Sequence, residues 1–366
     1  METATVFSRS GTRTGWPEPL RLLRPDGTID PGSPVRLEVT GELCRQLYRD
    51  MLLARRLDQE AYNLQRQGEL GLWLSCQGQE AAQVGSIRAT RETDWVFPSY
   101  REHAVGLVRG LSPGELLSQW RGCSHSGWDP TKYNLHMYSL VLGTQALHAT
   151  GYAMGVRAER ADEVVLAYLG DGATSQGDVS EALNWAVIAN VPIIFFCQNN
   201  QWAISTPVSA QTGTPLHQRA AGFGLDATYV DGNDVLAVYA VTRDQADRVR
   251  SGGVPGFVEA LTYRMAGHST SDDPRRYRDA AEVEAWQLRD PLTRLLAYME
   301  AQDWADPRWG DQLRDEADQL AADTRAACFA LPPPLLEDTF RNTLVTETGP
   351  LRAERERFTA YRESFL

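Results

Sequence analysis

The sequence predicts an α/β fold, a doubly wound parallel sheet, from three observations. Two apolar runs, Val164–Leu169 and Ile193–Cys197, are continuous rather than alternating, as strands buried on both faces are. Between them Val179, Ala182, Leu183, Ala186 and Val187 recur at helical spacing. Strand, helix and strand in so short a stretch make a parallel crossover, and a second unit follows. There Thr228-Tyr229-Val230 leads to a helix from Asp234 to Arg250 and a strand from Phe257 to Tyr263.

The remaining elements follow in order. Residues 1–35 are rich in Pro, Gly and Arg and read as an extended N-terminal arm, taken to residue 40. From Gly41, Leu43, Leu47, Met51 and Ala54 mark one face of a helix that runs to Gln67. A shorter helix, Gln77 to Thr90, leads into Trp95-Val96-Phe97-Pro98, and residues 124–143 are irregular. From Ala280 the chain is helical and charged, with a break at Pro332-Pro333-Pro334. A length of 366 residues has room for two domains. The pattern instead predicts one α/β domain over 41–300, the arm over 1–40 and a helical C-terminal appendage over 301–366.

Composition removes several functions. A net charge of −12 argues against a partner held by long-range attraction to nucleic acid or an anionic membrane. Lys132 is the single lysine, and no glycine-rich run precedes it, which excludes a P-loop and argues against a Schiff-base enzyme. Cys44, Cys76, Cys123, Cys197 and Cys328 form no Cys-x-x-Cys pair, so reduced, mostly buried thiols are expected rather than disulfides or zinc. Apolar runs are far too short to span a bilayer, and Met1–Trp16 has no signal core; the expected compartment is the cytoplasm.

Ligands of such sheets bind beyond the carboxyl ends of the strands. Two neighbouring predicted strand ends carry Gly170-Asp171-Gly172-Ala173 and Gln198-Asn199-Asn200. A carboxylate and an amide oxygen, one crossover apart, suit Mg²⁺, and the glycines let a diphosphate approach the backbone and the next helix N-terminus. Each motif alone is usually a turn; the joint spacing favours a site. A dinucleotide fingerprint fits less well, because the third glycine is missing at Ser175 and the next is Gly177.

Gly170-Asp171-Gly172-Ala173-Thr174-Ser175-Gln176-Gly177-Asp178 and Gln198-Asn199-Asn200-Gln201-Trp202-Ala203-Ile204-Ser205 resemble the alpha subunit of the thiamine-diphosphate-dependent decarboxylase components of 2-oxo acid dehydrogenases. The likeness runs from about Tyr48 to the helices after Tyr277. It implies a thiamine-diphosphate-binding sheet in which Asp171, Asn200 and the Trp202 carbonyl hold Mg²⁺. It implies further that Gly170, Gly172 and Ala173 face the cofactor and that Tyr100, Arg101 and Arg219 bind its diphosphate. Guanidinium forks suit phosphate oxygens and keep their charge. Leu142 would pack on the aminopyrimidine. In Leu140-Val141-Leu142-Gly143-Thr144-Gln145, relatives hold a potassium ion; Ser139, Thr144 and Gln145 are its candidate ligands in this chain, although Leu140-Val141 replaces a Ser-Pro pair.

Gly267-His268-Ser269-Thr270-Ser271-Asp272-Asp273 resembles the family's active-site loop, which assigns His268 to the substrate's oxo group or the acyl transfer. His103 would stand behind it. Ser269 and Ser271 coincide with serines that mitochondrial relatives phosphorylate. The implied reaction is oxidative decarboxylation of a 2-oxo acid with transfer of the acyl group to a lipoyl arm on an acyltransferase component. The glutamate that activates the cofactor belongs, in this family, to a beta subunit, so an α2β2 heterotetramer is expected. His-Ser-Thr-Ser-Asp-Asp and Trp95-Val96-Phe97-Pro98 resemble the branched-chain subgroup; pyruvate or acetoin dehydrogenase alpha subunits are the alternative. A nicotinamide-dependent dehydrogenase on the same sheet and a non-catalytic interaction subunit are the competing classes.

Overall fold

The structure, a computed structural model, describes residues 16–341 and 343–365. Helices α1 (Gly41–Arg66) and α2 (Glu80–Arg88) precede the first strand, β1 (Trp95–Phe97). Three short helices, α3 (His103–Val108), α4 (Pro113–Arg121) and α5 (Pro130–Tyr133), lead to α6 (Thr144–Glu159) and β2 (Val165–Gly170). A 3₁₀ turn over Asp171–Ser175 joins β2 to α7 (Gly177–Ala189), and β3 (Ile193–Asn199) completes the crossover. A small ribbon follows, β4 (Trp202–Ala203) and β5 (Thr206–Pro207), with α8 (Val208–Gln211) and α9 (Leu216–Gly222). Then come β6 (Asp226–Asp231), α10 (Val235–Arg250) and β7 (Gly256–Leu261). Helices α11 (Ala280–Gln287), α12 (Pro291–Ala301), α13 (Pro307–Ala330), α14 (Asp338–Arg341) and α15 (Gly349–Glu363) close the chain.

The main sheet has the order β1-β2-β3-β7-β6, and every pairing in it is parallel. Alternate residues of the central strands feed two cores. Leu166, Tyr168, Ile194 and Phe196 pack on one face, with α1, α2 and α10; Val165, Ala167, Ile193 and Phe195 pack on the other, with α6 and α7. Both faces being covered is why these strands read as continuous apolar runs. Gly170 pairs with Gln198, so the turns that begin at Asp171 and Asn200 leave adjacent strands side by side.

The arm, over its described part, is stitched to the far edge of the sheet. Leu20 bridges Val230 in parallel, and the amides of Leu22 and Leu23 donate to Asp234 Oδ2 at 2.7 and 2.6 Å. Asp234 also caps α10 through Ala237 N, so one carboxylate starts the helix and anchors the arm. The C-terminal appendage is less separate than its charge suggests. Helix α13 lies along α1 and buries Leu313, Ala317, Ala321, Thr324 and Cys328, whereas α15 buries no residue. The second helix begins at Glu80, later than the predicted Gln77. Gly78 sits at φ +89°, where a Cβ would stand 2.2 Å from the Tyr263 carbonyl, so the chain turns against β7's continuation before it coils. All five cysteines are free and four are buried. Among the described residues no helix is long and apolar enough to cross a membrane.

Candidate active site

Four segments meet beyond the carboxyl ends of β1, β2, β3 and β7. They enclose a cavity of about 350 Å³ whose lining includes Tyr100, Arg101, Asp171, Asn200, Trp202 and His268. Leu142, Gly170, Gly172 and Ala173 border the same space. A wider groove of about 540 Å³ between Arg36 of the arm and Arg243 and Asp244 of α10 contains none of the motif residues.

Asp171 opens the 3₁₀ turn after β2 and is 1% exposed. Its Oδ2 accepts from Gln211 Nε2 at 2.9 Å. Burial pushes the carboxyl up to about 6, against that hydrogen bond and the field of Arg264. A carboxylate so placed lacks positive charge, which a bound cation supplies. Asn200 and the ribbon residue Trp202 line the same cavity as Asp171. Gly172 approaches β4 so closely that a Cβ would lie 2.8 Å from that of Ala203. Trp202 is held by Arg264, whose guanidinium donates to the carbonyls of Trp202 and Ile204 at 3.2 and 2.7 Å. Asn200 Nδ2 donates to Gln79 Oε1 at 3.2 Å, and its Oδ1 accepts from Trp202 N at 3.2 Å. One carboxylate, one amide oxygen and one peptide carbonyl are a hard donor set of the kind Mg²⁺ takes. Among the described residues there is no cluster of three or more acidic, His and Cys ligands, as this mixed set requires none.

Arg101 is 4% exposed and donates to the carbonyls of Ser75 at 2.6 Å and His268 at 2.9 Å, with the latter nitrogen also 3.5 Å from His268 Nδ1. Among the described residues it forms no ion pair, so a buried positive charge faces the cavity and favours an anion. Glu102 behind it accepts from Ser99 Oγ at 2.8 Å and Gln198 Nε2 at 2.6 Å, tying the Tyr100-Arg101 segment to the end of β3. The ring of Tyr100 meets His268 edge-on at 6.1 Å.

His268 N donates to Asp272 Oδ2 at 2.7 Å, and Asp272 also accepts from the Tyr277 hydroxyl. Burial, with Arg101 and Arg264 nearby, lowers the imidazole to about 4, so it is neutral near pH 7 and offers a lone pair. His103 does not line the cavity but stands behind it, close enough for Arg101 to act on its ring. It is buried in the core, stacked on Trp73 at 4.0 Å, with Nδ1 against the Tyr138 hydroxyl and Nε2 donating to the Leu74 carbonyl.

Two sequence-predicted groups stand apart from the cavity. Arg219 donates to the Thr174 carbonyl at 3.2 Å and borders a neighbouring crevice behind the 3₁₀ turn. Of the candidate potassium ligands, Gln145 Oε1 is buried without a partner, while the Ser139 hydroxyl donates to the Val141 carbonyl at 3.3 Å. Sequence reasoning singled out neither Gln79, Glu102 and Gln198 nor Ile204. Ile204, a β-branched residue at φ +53°, is strained and half exposed on the cavity wall. Its signal was present in the Trp-Ala-Ile-Ser stretch, and Gln198 opens the Gln-Asn-Asn motif without being assigned a role; Gln79 and Glu102 carry no local signature.

The sequence model for the family described as "Dehydrogenase E1 component" matches residues 48–328. The chain is 45% identical over 344 residues to the 3-methyl-2-oxobutanoate dehydrogenase subunit alpha of Mycobacterium tuberculosis (strain ATCC 25618 / H37Rv), covering 94% of each protein. It is 33% identical to the mitochondrial 2-oxoisovalerate dehydrogenase subunit alpha 2 of Arabidopsis thaliana, covering 91% of this chain and 73% of that protein. To the pyruvate dehydrogenase E1 component subunit alpha of Acholeplasma laidlawii it is 33% identical, covering 88% and 94% respectively. With the cavity assembled from the same motifs, this chain belongs to the dehydrogenase E1 component family.

Proposed function

We propose that the chain is the alpha subunit of a branched-chain 2-oxo acid dehydrogenase, acting on 3-methyl-2-oxobutanoate and its homologues. One observation carries the chemistry: a buried carboxylate short of positive charge, Asp171, and a buried guanidinium without an acid, Arg101, share one cavity with His268. That pairing suits a metal-bound diphosphate, and the family points to thiamine diphosphate with Mg²⁺. The similarity to subunits named for branched-chain substrates, at 45% and 33% identity, supports the substrate.

The cofactor supplies an electron sink for decarboxylation. The chain's residues bind and orient it. Asp171, Asn200 and the Trp202 carbonyl would hold Mg²⁺, and Arg101 and Tyr100 would take the diphosphate. Arg219, bonded to the Thr174 carbonyl behind the turn, would have to swing out of its crevice to serve as the second arginine. Gly170, Gly172 and Ala173 leave the backbone free to approach. Leu142 would support the aminopyrimidine, and Gln145 Oε1, with Ser139 and Thr144, would be the oxygens for a potassium ion. His268, neutral and fixed by Asp272 and Arg101, takes or returns a proton at the substrate's oxo oxygen. Glu102, the glutamate of the lining, is committed to Ser99 and Gln198. By the family resemblance, the glutamate for the aminopyrimidine would come from a beta subunit in an α2β2 assembly. A lipoyl-bearing acyltransferase component would receive the acyl group.

Co-expression with a beta chain and measurement of turnover with 3-methyl-2-oxobutanoate and pyruvate tests this. The branched substrate should be preferred, the alpha chain alone should be silent, and His268→Ala should abolish turnover while retaining cofactor. Preference for pyruvate would reassign the substrate; turnover by the alpha chain alone would overturn the shared site.

A further inference from the structure

Gln79 is used by none of the chemistry above, and its position does not suit a glutamine. It is the N-cap of α2, where Ser, Thr, Asp or Asn would reach the unpaired amides of the first turn. Its side chain makes no such bond. It turns instead to the cavity wall, where it is 1% exposed. There Oε1 accepts from Asn200 Nδ2 at 3.2 Å, and Nε2 has no hydrogen-bond partner. The first contact helps to orient the Asn200 amide: with Nδ2 engaged by Gln79, Oδ1 accepts from Trp202 N and keeps a second lone pair for a metal. The second leaves a buried donor unsatisfied beside a cavity that already presents the Arg101 guanidinium. A protein tolerates an unmade buried bond where a ligand makes it.

We propose that Gln79 is a ligand-binding residue of this cavity. Its Nε2 donates to an anionic oxygen of the bound ligand while its Oε1 orients Asn200. The inference rests on the diphosphate reading above. Anionic oxygens there have two sources, the cofactor diphosphate and the carboxylate of the 2-oxo acid. Contact with Asn200 favours the diphosphate, because an Asn200-bound metal draws those oxygens to the same wall.

The test uses the assembled α2β2 protein with Gln79→Glu and Gln79→Met. Binding of thiamine diphosphate with Mg²⁺ is followed by quenching of tryptophan fluorescence, and the KM for 3-methyl-2-oxobutanoate is measured alongside. Gln79→Glu keeps an acceptor for Asn200 but puts a carboxylate oxygen where the donor stood. Its cofactor Kd should rise about tenfold or more, the scale of one charge-assisted hydrogen bond. The melting temperature of the cofactor-free assembly should stay within a few degrees of wild type, which a purely structural role would not predict. Gln79→Met, losing both functions, should also raise the Mg²⁺ concentration needed for half-saturation. A raised KM with unchanged cofactor Kd assigns the same donor to the substrate carboxylate. Unchanged Kd and KM in Gln79→Glu overturn the proposal. Wild-type protein that fails to bind the cofactor would refute the diphosphate reading itself, a separate and distinguishable result.

Discussion

Replacing His103 with glutamine tests how the core behind the active site depends on proton balance. His103 is fully buried at the start of α3, and its two nitrogens are committed to Tyr138 and Leu74. Burial, reinforced by Arg101, holds the ring down to about 3, whereas an unfolded chain titrates near 6.5. Between those values the unfolded state binds a proton that the folded state refuses. Stability is therefore full above pH 6.5 and falls as pH drops toward 3. The whole span corresponds to about 5 kcal/mol, of which about 2 kcal/mol is lost between pH 7 and pH 5. Glutamine retains hydrogen-bonding capacity but does not titrate. The assay is urea unfolding of the assembled protein at pH 7, 6 and 5, wild type against His103→Gln. The variant starts less stable, by about 1–3 kcal/mol for the lost stacking and geometry, but should lose about 2 kcal/mol less on acidification. Other titrating groups, His268 among them, contribute to both proteins and cancel in the difference. Equal pH slopes would refute the claim that His103 is held neutral.

Other substitutions probe the cofactor wall. Gly172→Ala places a Cβ 2.8 Å from that of Ala203, so the ribbon must shift away from Asp171. The Mg²⁺ concentration for half-maximal turnover should rise about tenfold, with overpacking costing about 1–3 kcal/mol in the melt. Arg101→Ala should weaken thiamine diphosphate binding about tenfold to a hundredfold, the scale of a lost charged hydrogen bond. Arg219→Ala should cost less, because Arg219 is bonded to the Thr174 carbonyl outside the cavity. Equal losses on calorimetry would show that Arg219 moves to the diphosphate on binding.

Much of the scaffold was legible because its signals are local. The runs before Gly170 and Asn199 read as buried strands, and the helix between them read from spacing alone. Glycines, Asp171 and Asn200 stood out because strand ends of this kind carry ligands. Other features were hidden for definite reasons. That β7 inserts between β3 and β6 depends on helix packing over the sheet, which no stretch of sequence encodes by itself. The start of α2 moved because Gly78 is pressed against the Tyr263 carbonyl, a contact formed across about half of the chain. Gln79 and Glu102 read as ordinary polar residues until folding buried them.

The sequence by itself determined the fold class and the residue types gathered at the strand ends. Only the tertiary structure decided which charged groups share the cavity. Arg101 and His268 are 167 positions apart and meet through a hydrogen bond to the His268 carbonyl, while Arg219, equally marked in sequence, stays behind the turn. The physical reason is that periodicity and turn chemistry act over a few residues. Desolvation and ion pairing depend on distances of a few ångströms, which exist only after distant segments have packed.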